Sequence, residues 1–132
     1  MSIFTDQELR YLRGERRLGR LATVGPDGMP HIAPVGWRLD TDAEVILVTG
    51  RNFANTKKFR DVAATGRAAI VIDDVLPPWQ PRGVEVRGHA EAVDAPEPLI
   101  RIRPMRIVSW GLGAGRTART IRADSPDPTP NR

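Results

Sequence analysis

The sequence predicts a mainly-β fold: a small antiparallel barrel of six strands with short accessory helices. Three observations lead there. Six segments are rich in branched aliphatic residues, and turn-forming residues separate them. Only two stretches carry helical spacing, and both are short. The length of 132 residues allows one domain with one modest core.

The chain opens on a helix. Thr5 followed by Glu8 is a capping box, Phe4 and Leu9 are placed as a hydrophobic staple, and Gly14 is a stop. Residues 17–24 (RLGRLATV) and 29–39 (MPHIAPVGWRL) flank the tetrad Gly25-Pro26-Asp27-Gly28, which reads as the turn of a hairpin. After a second turn at residues 40–42, residues 43–49 (AEVILVT) form a buried strand. These three strands suggest an antiparallel meander. A loop at residues 50–55 leads to a helix over residues 56–64, with Phe59, Val62 and Ala63 on its buried face and Gly66 as its stop. Residues 68–75 are a fourth strand, and Pro77 to Pro81 a stiff loop. Residues 83–93 alternate apolar and polar as a half-buried strand does. Residues 100–110 hold the sixth strand, around Pro104. From residue 113 the chain consists mostly of glycine, alanine, arginine, aspartate and proline, has no aromatic residue, and reads as a disordered tail. The expected division is a barrel domain over residues 1–112 and a tail over 113–132.

Composition excludes several chemistries. The absence of cysteine removes disulfides, thiolate catalysis and cysteine-ligated metals. His31 and His89 are the only histidines, and no carboxylate–histidine spacing surrounds them. Asp73 and Asp74 read as a turn cap. No apolar run approaches the roughly 18–20 residues of a membrane span, and no signal-peptide pattern opens the chain. A cytoplasmic protein is expected. Nucleic-acid binding by a small basic barrel would need clustered charge interleaved with aromatics on the strands. Here only Trp37 falls within an expected strand, and the 18 arginines are dispersed.

The two lysines are not dispersed. Lys57 and Lys58 are adjacent, and with Asn55 as helix cap they fall with Thr56 in the first turn. Free backbone N–H groups and the positive dipole end lie there. Lysine at that position is disfavoured by about 0.3–1 kcal/mol. Two lysines, a hydroxyl and free amides make a concentrated anion site suited to a phosphate; a solvated helix face is the competing reading. The run Ile32-Ala33-Pro34-Val35-Gly36-Trp37 is the second candidate. Proline cannot donate to a ladder, so the strand lies at an edge or bulges near Pro34, and an edge can offer its backbone to a ligand ring. Trp79 in a loop and Trp110 at a strand end are placed to stack on a planar ligand or to bury at an interface.

These elements together resemble the pyridoxamine 5′-phosphate oxidase-like superfamily, and within it the coenzyme F420-dependent oxidoreductases of actinobacteria. The likeness rests on RLGRLATVGPDGMPHIAPVGW, the helix start NTKKFRD, RAAIVIDDV, WQPRGVEVRGHAE and the closing RIVSWG, in that order from Phe4 to Gly111. The resemblance implies the FMN-binding split β-barrel and a homodimer with two cofactor sites at its interface. It implies that Ala33, Pro34, Val35, Gly36 and Trp37 lie along the ring of F420 or FMN, and that Val48 and Thr49 face the ring or its ribityl chain. It further implies that Asn55, Thr56, Lys57 and Lys58 hold the phosphate, while Trp79, Arg82 and Trp110 complete the pocket from the second subunit. The arginine that true pyridoxamine phosphate oxidases carry in this strand is replaced by Ala33, which argues against pyridoxal phosphate synthesis and leaves room above a ring. The function expected is hydride transfer from reduced F420 to a small organic acceptor. The alternatives are an FMN-dependent enzyme of the same superfamily and a cofactor carrier without turnover. Arg51, Arg60 and Arg82 are candidates to meet the oligoglutamate tail of F420.

Overall fold

The computed structural model describes residues 2–113 and 115–122. Helix α1 spans Asp6–Arg13, and the strands are β1 (Gly19–Val24), β2 (Pro30–Asp40), β3 (Val45–Thr49), β4 (Arg67–Leu76), β5 (Gln80–Val93), β6 (Leu99–Trp110) and β7 (Thr117–Thr120). Helix α2, Lys57–Thr65, lies between β3 and β4 and follows a 3-10 turn at Phe53–Asn55. No helix among the described residues is long and apolar enough to cross a membrane.

The strands run β3-β2-β1-β4-β5-β6-β7 in one antiparallel sheet, and β3 also pairs with β6. That last pairing, Ile46↔Ile102, closes six strands into a barrel. The expected six-stranded split barrel is therefore the fold, with β7 added along the outer edge of β6. Leu21, Ile46, Val48, Ile70, Ile72, Val84, Val86, Ile100, Ile102 and Ile107 are all 0–1% exposed and fill the interior. Each contributes about 1.5–3 kcal/mol by leaving water. α1 packs Tyr11 and Leu12 against this core, with Phe4 just before its cap, and α2 packs Phe59 and Val62 against it.

Local signals in the sequence explain most boundaries. Thr5 caps α1 with both arms of the capping box formed, and Gly14 ends the helix. Gly28 takes a positive φ of 81° and donates its N–H to Gly25 O at 2.9 Å, closing the β1–β2 turn. Pro104 is accommodated opposite Gly88, where the β5–β6 register shifts. A Cβ on Gly88 would lie 2.0 Å from Arg103 O, so only glycine lets the strands approach there.

Four expectations need correction. Thr117–Thr120, inside the expected tail, is a strand paired with Ser109 to Arg106; residues 123–132 lie outside the described ones. β7 is held by side chains far away in sequence, which local composition does not register. Ala63 is exposed, and the buried place on α2 is taken by Asp61, 3% exposed. The loop expected over Pro77 to Pro81 is shorter than that: residues 77–79 form the turn, Gln80 and Pro81 belong to β5, and β4 and β5 remain paired out to Leu76↔Gln80. Asp73 and Asp74 are not a turn cap but lie within β4, opposite Gly83 and Arg82.

Candidate functional site

β2 changes partner halfway along. From Val24↔Pro30 to Gly19↔Val35 it pairs with β1, and from Gly36↔Thr49 onward with β3. Its edge on the β3 side is unpaired over residues 30–35, as the proline predicted; Pro34 sits in regular register with Arg20, with no bulge. The backbone of this stretch is open to a ligand.

Side chains alternate along the stretch. Val35 is buried and packs in the core, and Ala33 is half-buried opposite fully buried Leu21. Trp37 also turns inward. Its indole N–H donates to Arg17 O at 2.7 Å, and its ring edge lies against Gly19. Pro34 and Gly36 face outward and are exposed. A Cβ on Gly36 would meet nothing within 4 Å, so the outer face of the strand is bare there. Thr49, the register partner of Gly36, is half-buried beside it. Val48 is 0% exposed and turns its side chain into the barrel, leaving only its backbone to this region.

The chain leaves β3 at Gly50, and a Cβ there would come within 3.0 Å of the Phe53 ring. Phe53 is buried, edge-on to Phe59 at 5.8 Å between centroids, which anchors the loop to α2. The helix cap is Thr56, not Asn55. Thr56 Oγ1 accepts from Phe59 N–H at 3.3 Å and donates to Phe53 O at 2.7 Å. One hydroxyl thus closes the 3-10 turn and starts the helix. Asn55 ends that turn, and its amide donates to Asn52 Oδ1 at 2.7 Å.

Lys57 and Lys58 occupy the first turn of α2 but differ in surroundings. Lys57 Nζ donates to Asp61 Oδ1 at 3.0 Å, and Asp61 Oδ2 accepts from Thr23 Oγ1 at 2.9 Å. Gly25 makes room, since a Cβ there would stand 2.8 Å from Asp61 Oδ1. Burial opposes ionisation of Asp61, but the bonds from Lys57 and Thr23 prevail and hold its pKa below the usual carboxylate value. His31, the register partner of Thr23, faces the same group and has a buried Nδ1 without a hydrogen-bond partner among the described residues. Among the described residues Lys58 makes no ion pair. Its ammonium lies 5.6 Å from the Phe53 ring centroid. Arg51 is exposed in the loop, and Arg60 donates to Asn55 O at 2.8 Å.

Trp79, Arg82 and Trp110 lie elsewhere. Arg82 pairs with Asp74 near the Gly19 end of β1, whereas Asp61 sits at its Thr23 end. One chain does not bring the two groups together. Trp79 projects at the tip of the β4–β5 hairpin, 76% exposed. Trp110 lies over Gly83, where a Cβ would be 2.8 Å from its ring. Arg82 grips Asp74 with two hydrogen bonds of 2.8 and 3.0 Å. Asp74 also accepts from the Tyr11 hydroxyl at 2.7 Å, and Arg17 stacks 3.9 Å from the Tyr11 ring centroid. No cluster of three or more histidines or carboxylates among the described residues is placed to hold a metal.

Asp61 was missed by the sequence reading, although its spacing of four from Lys57 is the one for a helical ion pair. The Tyr11–Asp74 contact spans 63 residues and leaves no local signal.

The family model for pyridoxamine 5′-phosphate oxidase matches residues 5–126. A 5a,11a-dehydrotetracycline/5a,11a-dehydrooxytetracycline reductase of Streptomyces rimosus is 40% identical over 136 residues, covering 92% of this chain and 95% of that protein. Among solved structures, an F420 reductase superposes with a TM-score of 0.56 at 24% identity, over 74% of this chain and 94% of that one. A FAD-binding protein from Mesorhizobium loti gives a TM-score of 0.62 at 21% identity, over 88% and 95%. At such identities the two structural likenesses carry the fold alone.

Proposed function

The chain belongs to the pyridoxamine 5′-phosphate oxidase family of oxidoreductases, and on that premise we propose that it transfers hydride from reduced coenzyme F420 to a conjugated double bond of a polycyclic or quinone-like acceptor. The observation that carries the reading is the open side of β2. Its edge is unpaired over residues 30–35, Gly36 is bare on its outer face, and β3 ends at Thr49 directly opposite Gly36. α2 follows Thr49 after one short loop and presents the unpaired Lys58. The reductase from Streptomyces rimosus supports the acceptor class by its name.

The residues present fit a flavin-like group. A flat ring needs a strand without protruding side chains, and Pro34 and Gly36 provide it. A phosphate needs donors, and the first turn of α2 has free amides, Lys57 and Lys58. When bound, reduced F420 supplies the hydride. The chain's work is orientation: the β2 backbone holds the ring plane and α2 fixes the far end of the cofactor. Between Ile32 and Trp37 no side chain is titratable, so this stretch of β2 orients the ring and supplies no proton to the acceptor. FMN in the same cleft is the second reading, since a strand bare at Pro34 and Gly36 suits either ring.

A homodimer completes this proposal. Ile32 is 67% exposed on the outer face of the sheet, beside outward-facing Ala22 and Ala69. An apolar depression of about 560 Å³ opens on the same face. Such a surface favours a partner, whose Trp79, Arg82 and Trp110 would then close the first subunit's cleft.

The test is titration of the purified protein with F420 and with FMN, followed by fluorescence. Steady-state oxidation of reduced F420 by quinones, enones and dehydrotetracycline-like polycycles is then measured. Tight binding of F420 with turnover on part of the panel is expected. Binding of FMN alone would replace the cofactor, and binding without turnover would make the protein a carrier.

A further inference from the structure

The proposed phosphate site has a buried counter-charge. The Asp61 side chain is 4% exposed, while that of Lys57 is 47% exposed. Asp61 is held on two sides, by Lys57 and by Thr23, and Gly25 leaves it the space. A buried carboxylate acts on its neighbourhood with less screening than a surface one. It offsets Lys57 and leaves Lys58 as the unpaired cation of the first turn. The other titratable group facing Asp61 is His31 on β2, while Arg60 on α2 is turned to Asn55 O.

From this charge balance we infer that Asp61 is a specificity-determining residue, which biases the anion site toward a singly charged phosphodiester and against a doubly charged phosphate monoester. F420 carries a phosphodiester, and FMN a monoester that is mostly dianionic at neutral pH. The inference rests on the proposed binding of the cofactor phosphate by α2 and adds to it the reason one phosphate class is preferred. Removing one negative charge raises the local potential, and a ligand gains in proportion to its own charge. A monoanion gaining about threefold in affinity implies a dianion gaining about tenfold.

The experiment compares three probes with one ring: riboflavin, FMN and the phosphate methyl ester of FMN. Their affinities are measured by fluorescence titration on the wild type, Asp61→Asn, Lys57→Met and the double variant, with F420 alongside. Asp61→Asn is expected to tighten FMN about tenfold and the methyl ester about threefold, with riboflavin unchanged. Lys57→Met is expected to shift the ratio the other way. The double variant restores the net charge and replaces a buried pair by uncharged groups, so it should fold and return the ratio to the wild-type value. An unchanged ratio in Asp61→Asn, or a double variant that keeps the altered ratio, overturns the inference. Equal affinity of the wild type for riboflavin and FMN would instead remove the phosphate site itself.

Discussion

Ser109 Oγ donates to Glu8 Oε2 at 2.6 Å and joins the first helix to the end of the sixth strand. Glu8 is fully buried. Arg119 of β7 forks onto the same carboxylate and also donates to Ile3 O, so one acidic side chain ties α1, β6 and β7. Burial alone would raise the pKa of Glu8, but the bonds from Arg119 and Ser109 outweigh it and the pKa is lowered. A lowered carboxylate pKa stabilises the fold above the unfolded value, about 4.3, and the contribution is lost as pH falls through the folded value. Urea denaturation should therefore show stability declining below about pH 4.5. Glu8→Gln should lose about 2–4 kcal/mol at neutral pH and flatten that acid limb. A Glu8→Gln protein as stable as the wild type would mean the clasp is ornamental.

Tyr11 is the only tyrosine in the chain, so its ionisation is visible alone in the near-ultraviolet absorbance. Burial and the hydrogen bond to Asp74 raise its pKa above the usual 10. The neutral phenol thus contributes stability that is lost as pH rises through the folded value. Alkaline titration should show no phenolate until the protein unfolds. In Asp74→Asn the phenolate should appear at lower pH, because the carboxylate that accepts its proton is gone.

The two lysines should separate in stability as they do in surroundings. Lys57→Met leaves Asp61 buried without its cation, at a cost of about 2–3 kcal/mol. Because the Asp61 pKa is held low, that loss should be largest at neutral pH and shrink as acid protonates the carboxylate. Lys58→Met breaks no ion pair and should stay within about 0.5 kcal/mol of the wild type. Equal stability of the two variants in chemical denaturation would contradict the geometry.

Ile32 offers a direct handle on the proposed dimer. It is exposed, outward-facing and opposite Ala22, so Ile32→Glu should fold normally while placing a charge in an apolar contact. Light scattering should then report a monomer where the wild type is a dimer. If the wild type is itself a monomer at micromolar concentration, the partner's share of the cleft has no basis.

The strands, the first hairpin and both helices were legible because their signals are local. Alternation, Pro-Asp-Gly and the Thr5–Glu8 box each act within a few residues. Closure of the barrel by Ile46↔Ile102 is not local, and only the fold resemblance anticipated it. β7 escaped notice because Arg119 finds its carboxylate 111 positions earlier. In the candidate site the lysine pair stood out by composition. The inward turn of Val35, Trp37 and Val48 did not, since residues 32–37 and 45–48 are apolar or glycine throughout and leave no apolar–polar alternation to read.

Two glycines of similar appearance in the sequence should behave in opposite ways. Gly88→Ala drives a Cβ to 2.0 Å from a backbone oxygen, and backbone cannot step aside cheaply, so a loss of about 3 kcal/mol or more is expected. Gly36→Val meets open space and places a β-branched residue in a strand that favours it, so thermal unfolding should be unchanged or slightly raised. Its side chain would nevertheless stand on the face assigned to the cofactor ring. Binding of F420 or FMN should then weaken at least tenfold, a loss of about 1.4 kcal/mol or more, in a protein that is otherwise intact. Wild-type affinity in Gly36→Val would show that the ring lies elsewhere, whatever the fate of the phosphate at α2.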